Sequence, residues 1–249
     1  MIKNITNFSS GKKGCKPVVI EVYSCLLDSY GPQGWWPLTE LSEISRTKPQ
    51  KTGSIQGYHH SDYSYPQTRD QQFEIICGAL LTQNTSWIQV EKALFNLNRL
   101  KALSPEAVIS LEPETLKEAI RPAGYYNQKA LRLRILAIWF LELKDRIPTR
   151  EELLSLKGIG PETADSILLY AFKQPFFVVD AYTRRIVTNL GFVDEKAGYY
   201  EIKALFEESL PHDMRVYQEY HALLVEHAKK YYQKKGSYEK CPLLDIVQN

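Results

Sequence analysis

Asp180 follows a short apolar stretch, residues 176–179, and stands where an N-cap would open a helix running to Leu190. A carboxylate fixed at a helix start stays ionised. It can stabilise positive charge developing on a sugar, or orient and deprotonate a water. As a plain N-cap it would only hold the helix, and the two roles are compatible. Upstream, Leu156-Lys157-Gly158-Ile159-Gly160-Pro161-Glu162-Thr163-Ala164 reads as a tight hairpin between two helices. Glycines permit the sharp turn and the close approach of another backbone. Amides opening the second helix lack intrahelical partners and suit a phosphate oxygen, a contact that reads no base sequence. The same letters fit an ordinary helix corner with a glycine C-cap. Trp35 and Trp36 precede Pro37, and Trp87 follows Gln83-Asn84-Thr85. Electron-rich rings of this kind stack on flat cationic groups, worth roughly 1–3 kcal/mol per stacked base; as core or surface residues they would only pack.

The elements that must position these groups read as helices. Apolar residues recur at helical spacing over 18–29, from Phe73 through Ile76, Cys77, Leu80 and Leu81, over Val90, Leu94, Leu97 and Leu100, at 116–120, and over 129–143. Thr149 and Glu152 fit a capping box opening a helix to Leu156. Pro161 suits the first turn of the next helix, which runs to Phe172. Further helices are expected near 196–209 and 212–232. There is no sustained strand alternation and no internal repeat, so the predicted fold is all-α. Residues 39–71 are polar and poor in aliphatics, and read as a long surface loop or flexible insertion.

A 249-residue chain with 44% hydrophobic content can bury one large core or two modest ones, which excludes global disorder. The net charge of +2 announces no polyanionic partner, so affinity for one must come from local basic clusters. Cys15, Cys25, Cys77 and Cys241 lie far apart, with no Cys-x-x-Cys pair, which disfavours a disulfide framework or an evident zinc site. Reduced thiols, a start without an apolar run of signal-peptide length and no membrane-spanning stretch lead to the expectation of a cytoplasmic, nucleoid-associated protein with no membrane partner.

The hairpin followed by Pro175, the apolar 176–179 and Asp180 resembles the helix-hairpin-helix, Gly/Pro-rich loop and aspartate signature of the endonuclease III superfamily of DNA glycosylases. Leu81-Thr82-Gln83-Asn84-Thr85, Arg121-Pro122-Ala123-Gly124-Tyr125-Tyr126-Asn127-Gln128-Lys129-Ala130 and Val179-Asp180-Ala181-Tyr182-Thr183-Arg184-Arg185 resemble it too. The resemblance runs from about Val18 to Leu243, apart from the 39–71 segment. It implies two helical domains with a DNA-binding cleft between them. One is a helical barrel over 72–173 with the hairpin at 153–172; the other unites 1–37 with 174–249; 38–71 is an insertion or flexible loop, read first as disordered, with Lys48, Lys51, His59 and His60 as DNA contacts in the alternative. The implied partner is double-stranded DNA with a damaged base, bound by a monomer, and Asp180 is the implied catalytic residue. Gln83 resembles the glutamine that fills the space left by a flipped base. DNA contacts fall to Gly158, Ile159, Gly160 and Thr163, and to Arg184 and Arg185, with Lys129, Arg132 and Lys229 adding basic character. The carbonyls of Leu154, Leu156 and Ile159 would hold a monovalent cation.

Three departures sort the chain within the superfamily. Bifunctional members carry a lysine where this chain has Glu162, and a carboxylate cannot form their Schiff base, so a monofunctional enzyme is expected. Glu162 then either lines the base pocket or occupies an exposed first turn. Mispaired-adenine enzymes carry a glutamate at the position of Ala79, which disfavours that substrate and fits an alkylated, already cationic purine such as 3-methyladenine. Bacterial 3-methyladenine glycosylases resemble the chain in Trp-Trp-Pro, in an aromatic at the Trp87 position, and in a lysine near Lys229, which otherwise is a solvated helix face beside Lys230. At the four iron–sulfur ligand positions the register places Tyr231, Tyr238, Cys241 and Val247, and one thiolate cannot hold a four-iron cluster, so no cofactor is expected. Other readings are a glycosylase for uracil or mispaired thymine, a glycosylase/lyase using another amine, and a non-catalytic DNA-damage binding protein.

Overall fold

The computed structural model describes residues 16–43, 57–233 and 237–248, and among these it is helical with no strand. The helices are α1 (Lys16–Tyr30), α2 (Arg69–Leu81), α3 (Trp87–Arg99), α4 (Pro105–Ser110), α5 (Pro113–Ile120), α6 (Tyr126–Leu143), α7 (Arg150–Ser155), α8 (Pro161–Ser166), α9 (Ala181–Asn189), α10 (Tyr199–Ser209), α11 (Met214–Tyr231) and α12 (Leu243–Gln248). Helix α8 continues into a π-helical turn, Ile167–Ala171.

Two groups of helices form around a shared core. Helices α2 to α6 pack on one another, while α1 packs on α10, α11 and α12 from the far end of the chain, and α9 packs on α11. The π-helical turn touches both α2 and α11, so the segment after the hairpin joins the two groups. The whole turn is buried. A wider helical turn of this kind is frequent at functional sites.

A buried ionic cluster sets the attitude of the hairpin. Asp165 of α8 has no exposed side chain. It accepts from Arg150 of α7 at 2.6 and 3.1 Å and from the Tyr199 hydroxyl of α10 at 2.8 Å. Lys203 of α10 lies 3.5 Å away. The predicted capping box of α7 is present: the Thr149 hydroxyl accepts from the Glu152 amide, and the Glu152 carboxylate accepts from the Thr149 amide.

In the 39–71 segment, expected as a long surface loop or flexible insertion, residues 57–67 carry no helix or strand, and only the two ends depart from that expectation. Thr39–Glu43 forms a 3-10 turn, and Arg69, Asp70 and Gln71 are the first turn of α2. A Thr68–Gln71 capping box starts that helix, a signal as legible in the sequence as the one at Thr149. Between them, 57–66 packs against the Trp35–Trp36 loop. Leu38 donates its amide to the Gly57 carbonyl at 3.2 Å, and His59 to that of Gly34 at 3.1 Å. The His59 ring bonds the Trp36 carbonyl at 3.0 Å and the His60 ring that of Pro32 at 2.7 Å. Gly34 has φ +67°, and a Cβ there would lie 2.4 Å from the His60 nitrogen. His59 and His60, the alternative DNA contacts of this segment, brace this loop; Lys48 and Lys51 lie outside the described residues. The sequence also hid α4, whose six residues show too little periodicity to stand out.

Candidate active site

Asp180 is the N-cap of α9. Its Oδ1 accepts from the Thr183 amide at 2.6 Å, and its side chain is 17% exposed. The other oxygen, Oδ2, is 3.7 Å from His221 Nε2 on α11. Desolvation works to raise this carboxyl; His221 and the Thr183 hydrogen bonds outweigh it and hold it below the ordinary carboxylate range. Asp180 is thus an anion at neutral pH with one oxygen spent on the fold and one facing a cavity.

That cavity has a volume of about 250 Å³, and it gathers most of the residues singled out by chemistry: Trp35, Trp36, Gln83, Trp87, Glu162, Thr163, Asp180 and Lys229. The Trp35 and Trp87 rings are near parallel, 24° apart, with centroids 6.4 Å apart. Both rings line the cavity, an aromatic slot. Trp36 closes the end of the slot edge-on, 83° to Trp87 at 5.1 Å. The Trp36 indole sits directly over Gly78, where a Cβ would approach it to 2.9 Å. Glycine at that point of α2 lets the ring lie on the helix backbone.

Glu162 stands at the rim, lining both this cavity and a wider groove of about 1250 Å³ that contains Arg184, Arg185 and Tyr238. It is exposed, as the first-turn reading expected, and it also lines the pocket. Desolvation in the cleft, then the neighbouring Asp180 charge, push its carboxyl up to about 7, against a downward pull from His221. Lys229 lines the cavity, with Nζ 3.4 Å from the Glu226 carboxylate.

Several residues expected at the DNA make hydrogen bonds within the protein. Lys129 is 2% exposed and donates to the carbonyls of Leu81, Gln83 and Ala123, each at 2.8 Å. Burial, then Arg132, lower its pKa to about 8. It is an internal clamp between two loops. Gln83 donates to the Gly158 carbonyl at 3.0 Å and to the Thr163 hydroxyl at 2.9 Å, and accepts from Arg132 at 3.1 Å. The expected space-filling glutamine is thereby tethered to the hairpin, and Thr163, a buried residue, serves as its anchor. Ile159 buries its side chain and donates its amide to the Leu156 carbonyl at 3.1 Å, so it shapes the hairpin. Gly160 is exposed at the N-cap of α8. Arg184 bonds the Ala197 carbonyl; Arg185 donates to the Tyr232 carbonyl at 2.8 Å and is otherwise exposed in the groove.

For a cation on the hairpin, the Leu156 carbonyl already accepts from Ile159 and keeps one lone pair free of that bond. At the iron–sulfur positions the donor set does not fit a cluster. The Cys241 thiol is buried 3.0 Å from His227 Nε2 and accepts from the Tyr232 hydroxyl at 3.5 Å, and Tyr238 stacks on Tyr232. Among the described residues no group of three or more His, Cys, Asp and Glu is placed to hold a metal ion, and no helix is long and apolar enough to cross a membrane.

Sequence reasoning missed His221 and Tyr170. His221, Val225 and Lys229 all line the cavity and lie four residues apart along α11. That i, i+4, i+8 spacing extended back from Lys229 would have pointed to the histidine.

Comparison with known proteins agrees with this geometry. The family model described as HhH-GPD superfamily base excision DNA repair protein matches residues 77–212. A Methanocaldococcus jannaschii protein, MJ1434, named as a DNA repair glycosylase, is 41% identical over 240 residues, spanning 92% of this chain and 95% of that one. The chloroplastic endonuclease III homolog 2 of Arabidopsis thaliana is 31% identical over 66% of this chain, and the match spans only 43% of that longer protein. Among solved structures, H. pylori 3-methyladenine DNA glycosylase bound to 1,N6-ethenoadenine superposes with a TM-score of 0.65 at 27% identity, covering 89% of this chain and 100% of that one.

Proposed function

Because the chain belongs to the HhH-GPD superfamily of base excision DNA repair proteins, we propose that it is a monofunctional DNA glycosylase that removes an alkylated purine such as 3-methyladenine from duplex DNA. One observation carries the reading: an anionic Asp180 opens onto a slot walled by Trp35 and Trp87 and closed by Trp36. A lesion base that is flat and cationic gains from both ring faces. The H. pylori relative, whose name gives the same substrate, supports the choice.

The protein acts as a monomer on damaged duplex DNA. The hairpin around Gly158 and Gly160 and the basic groove at Arg184 and Arg185 take the phosphates, with a monovalent cation on the Leu154, Leu156 and Ile159 carbonyls as a further anchor. Turning the nucleotide out of the stack costs a few kcal/mol, less at a weakened pair. As the C1′–N bond breaks, positive charge grows on the sugar. Asp180 Oδ2 stabilises it and accepts a proton from the attacking water. No amine stands in the place of Glu162, so the sugar is left intact and no strand break follows. No iron–sulfur cluster takes part.

One observation favours a second reading, removal of uracil or of mispaired thymine. The Glu162 carboxyl at about 7 retains a proton in part of the population at neutral pH. It can donate to a carbonyl of a neutral base, a contact a cationic purine does not need. Base release from duplexes containing 3-methyladenine or uracil, by wild type and Asp180→Asn, separates the readings. Release of 3-methyladenine that the variant loses, with strand breaks only after alkali, is expected. Release of uracil alone selects the second reading. Tight lesion binding with no release of either base overturns both.

A further inference from the structure

Around the slot the buried ring nitrogens of Trp36, Trp87 and His221 are left without a protein partner, and that of His221 faces the Asp180 carboxylate. His221 is 4% exposed, and its Nε2 has no hydrogen-bond acceptor or donor in the protein. The ring itself is firmly held. Nδ1 lies 2.7 Å from the Tyr170 hydroxyl, and Trp35 packs against the ring at 89° with centroids 5.8 Å apart. Leaving a buried polar atom unsatisfied is costly. Here it is aimed into the cavity and toward Asp180 Oδ2, the oxygen that the helix cap does not use.

The separation of 3.7 Å is too long for a direct bond. One water can sit within bonding distance of both atoms at the apex of that gap. The Tyr170 hydroxyl either donates to Nδ1 at 2.7 Å, or donates to the Gln218 carbonyl at 3.2 Å and accepts from Nδ1–H, and the carboxylate facing Nε2 selects the first. Donation over the shorter distance leaves the ring proton on Nε2, facing a carboxylate. The other tautomer would set a lone pair against that carboxylate.

We propose that His221 is a positioning residue of the reaction, its Nε2–H holding the attacking water and Asp180 Oδ2 in line with the sugar carbon. This rests on the glycosylase reading above. In the step, the water oxygen bonds C1′ while the C1′–N bond breaks. Its electron pair leaves with the base, and the water proton passes to Asp180 Oδ2. His221 keeps its proton throughout. The titratable and charged groups facing the ring are Asp180 from α9, Glu162 from α8, Tyr170 from the π-helical turn and Lys229 from α11, with Tyr182 lining the same cavity.

The test is single-turnover base release as a function of pH for wild type, His221→Phe, His221→Gln and Tyr170→Phe, with lesion-DNA affinity measured alongside. His221→Phe is expected to lose roughly 10- to 100-fold in rate. The acid limb of its profile should move to higher pH, because a group that holds the Asp180 carboxyl down is gone. His221→Gln, whose amide also donates, should recover part of both effects, and affinity should change little in either. Rates within about twofold of wild type and an unmoved acid limb would overturn the proposal. Should His221→Phe not fold, the same outcome in His221→Gln and Tyr170→Phe overturns it. The imidazole nitrogen resonances of His221, assigned by their loss in His221→Gln, give a readout that needs no substrate. A proton on Nε2 is expected, and one on Nδ1 refutes the arrangement. Failure of wild type to release any base would sink the glycosylase reading and leave the tautomer measurement to judge this one.

Discussion

Asp180 and Thr183 are joined by a 2.6 Å hydrogen bond from the Thr183 amide to Oδ1, and this bond divides the carboxylate between two tasks. One oxygen holds the start of α9; the other is left for the cavity. Asparagine caps a helix about as well as aspartate, and alanine does not. Asp180→Asn should therefore keep wild-type stability within about 0.5 kcal/mol, while Asp180→Ala loses about 1 kcal/mol. Both should lose at least about 100-fold in base release. Urea unfolding and single-turnover kinetics on the pair check this. Equal kinetic losses with unequal stability would separate the catalytic task from the structural one.

Glu162 carries a pH signature. Its carboxyl is raised from 4.5 to about 7 in the folded chain. Below pH 4.5 both folded and unfolded chains hold the proton. Between there and 7 the unfolded chain releases it first, so the stability associated with the protonated form is lost as pH rises. Glu162→Gln removes the liability. The variant should match wild type below pH 4.5 and unfold at higher urea above pH 7. The gain is small, because solvent screens an exposed carboxyl. A variant less stable than wild type at pH 8 would contradict the assignment.

Local signals in the sequence carried much of the site, and long-range packing carried the rest. Asp180 and the glycine hairpin were visible because each depends on its own neighbours, an N-cap and a turn, and Trp35, Trp36 and Trp87 because their sequence context resembles that of a known family. Lys129 was not readable in this way. It has the composition of a phosphate contact, and only the fold shows three carbonyls closing around it. Gln83 likewise looks free in sequence and is held by residues about 75 and 80 positions away. The support that 57–66 gives the Trp35–Trp36 loop depends on backbone bonds from Leu38 to Gly57 and from His59 to Gly34, which leave no periodic trace.

Gly158 and Gly160 should respond differently to alanine. Gly158 has φ +88°, and a Cβ there would come within 2.2 Å of Arg132 Nε. Arg132 must then swing away from Gln83, and the left-handed backbone adds about 1–2 kcal/mol of strain. Gly160 has extended backbone at φ −96°, and a Cβ would meet nothing within 4 Å. Gly158→Ala should lower stability by about 1–2 kcal/mol and weaken DNA binding. Gly160→Ala should leave stability nearly unchanged, so any loss of affinity there reports crowding of the phosphate. Thermal unfolding and DNA titration of the two variants make the comparison.

Arg185 and Lys129 give the contrast that tests where the electrostatic contact with DNA lies. Arg185 is exposed in the groove beside Asp180, with one guanidinium nitrogen on the Tyr232 carbonyl and the guanidinium carbon 5.8 Å from the centre of the Tyr182 ring. If it meets a phosphate, Arg185→Ala should reduce the slope of log affinity against log salt by about 0.9, with little change in stability. Lys129 is buried on three carbonyls, and its removal leaves them without their donor. Lys129→Met should cost about 1–3 kcal/mol in unfolding free energy while the salt slope of the folded protein stays at the wild-type value. The two measurements, binding titrations at several salt concentrations and chemical unfolding, are independent. A reduced slope for Lys129→Met in folded protein would return that lysine to the DNA interface and mean that the loops it clamps open when DNA is bound.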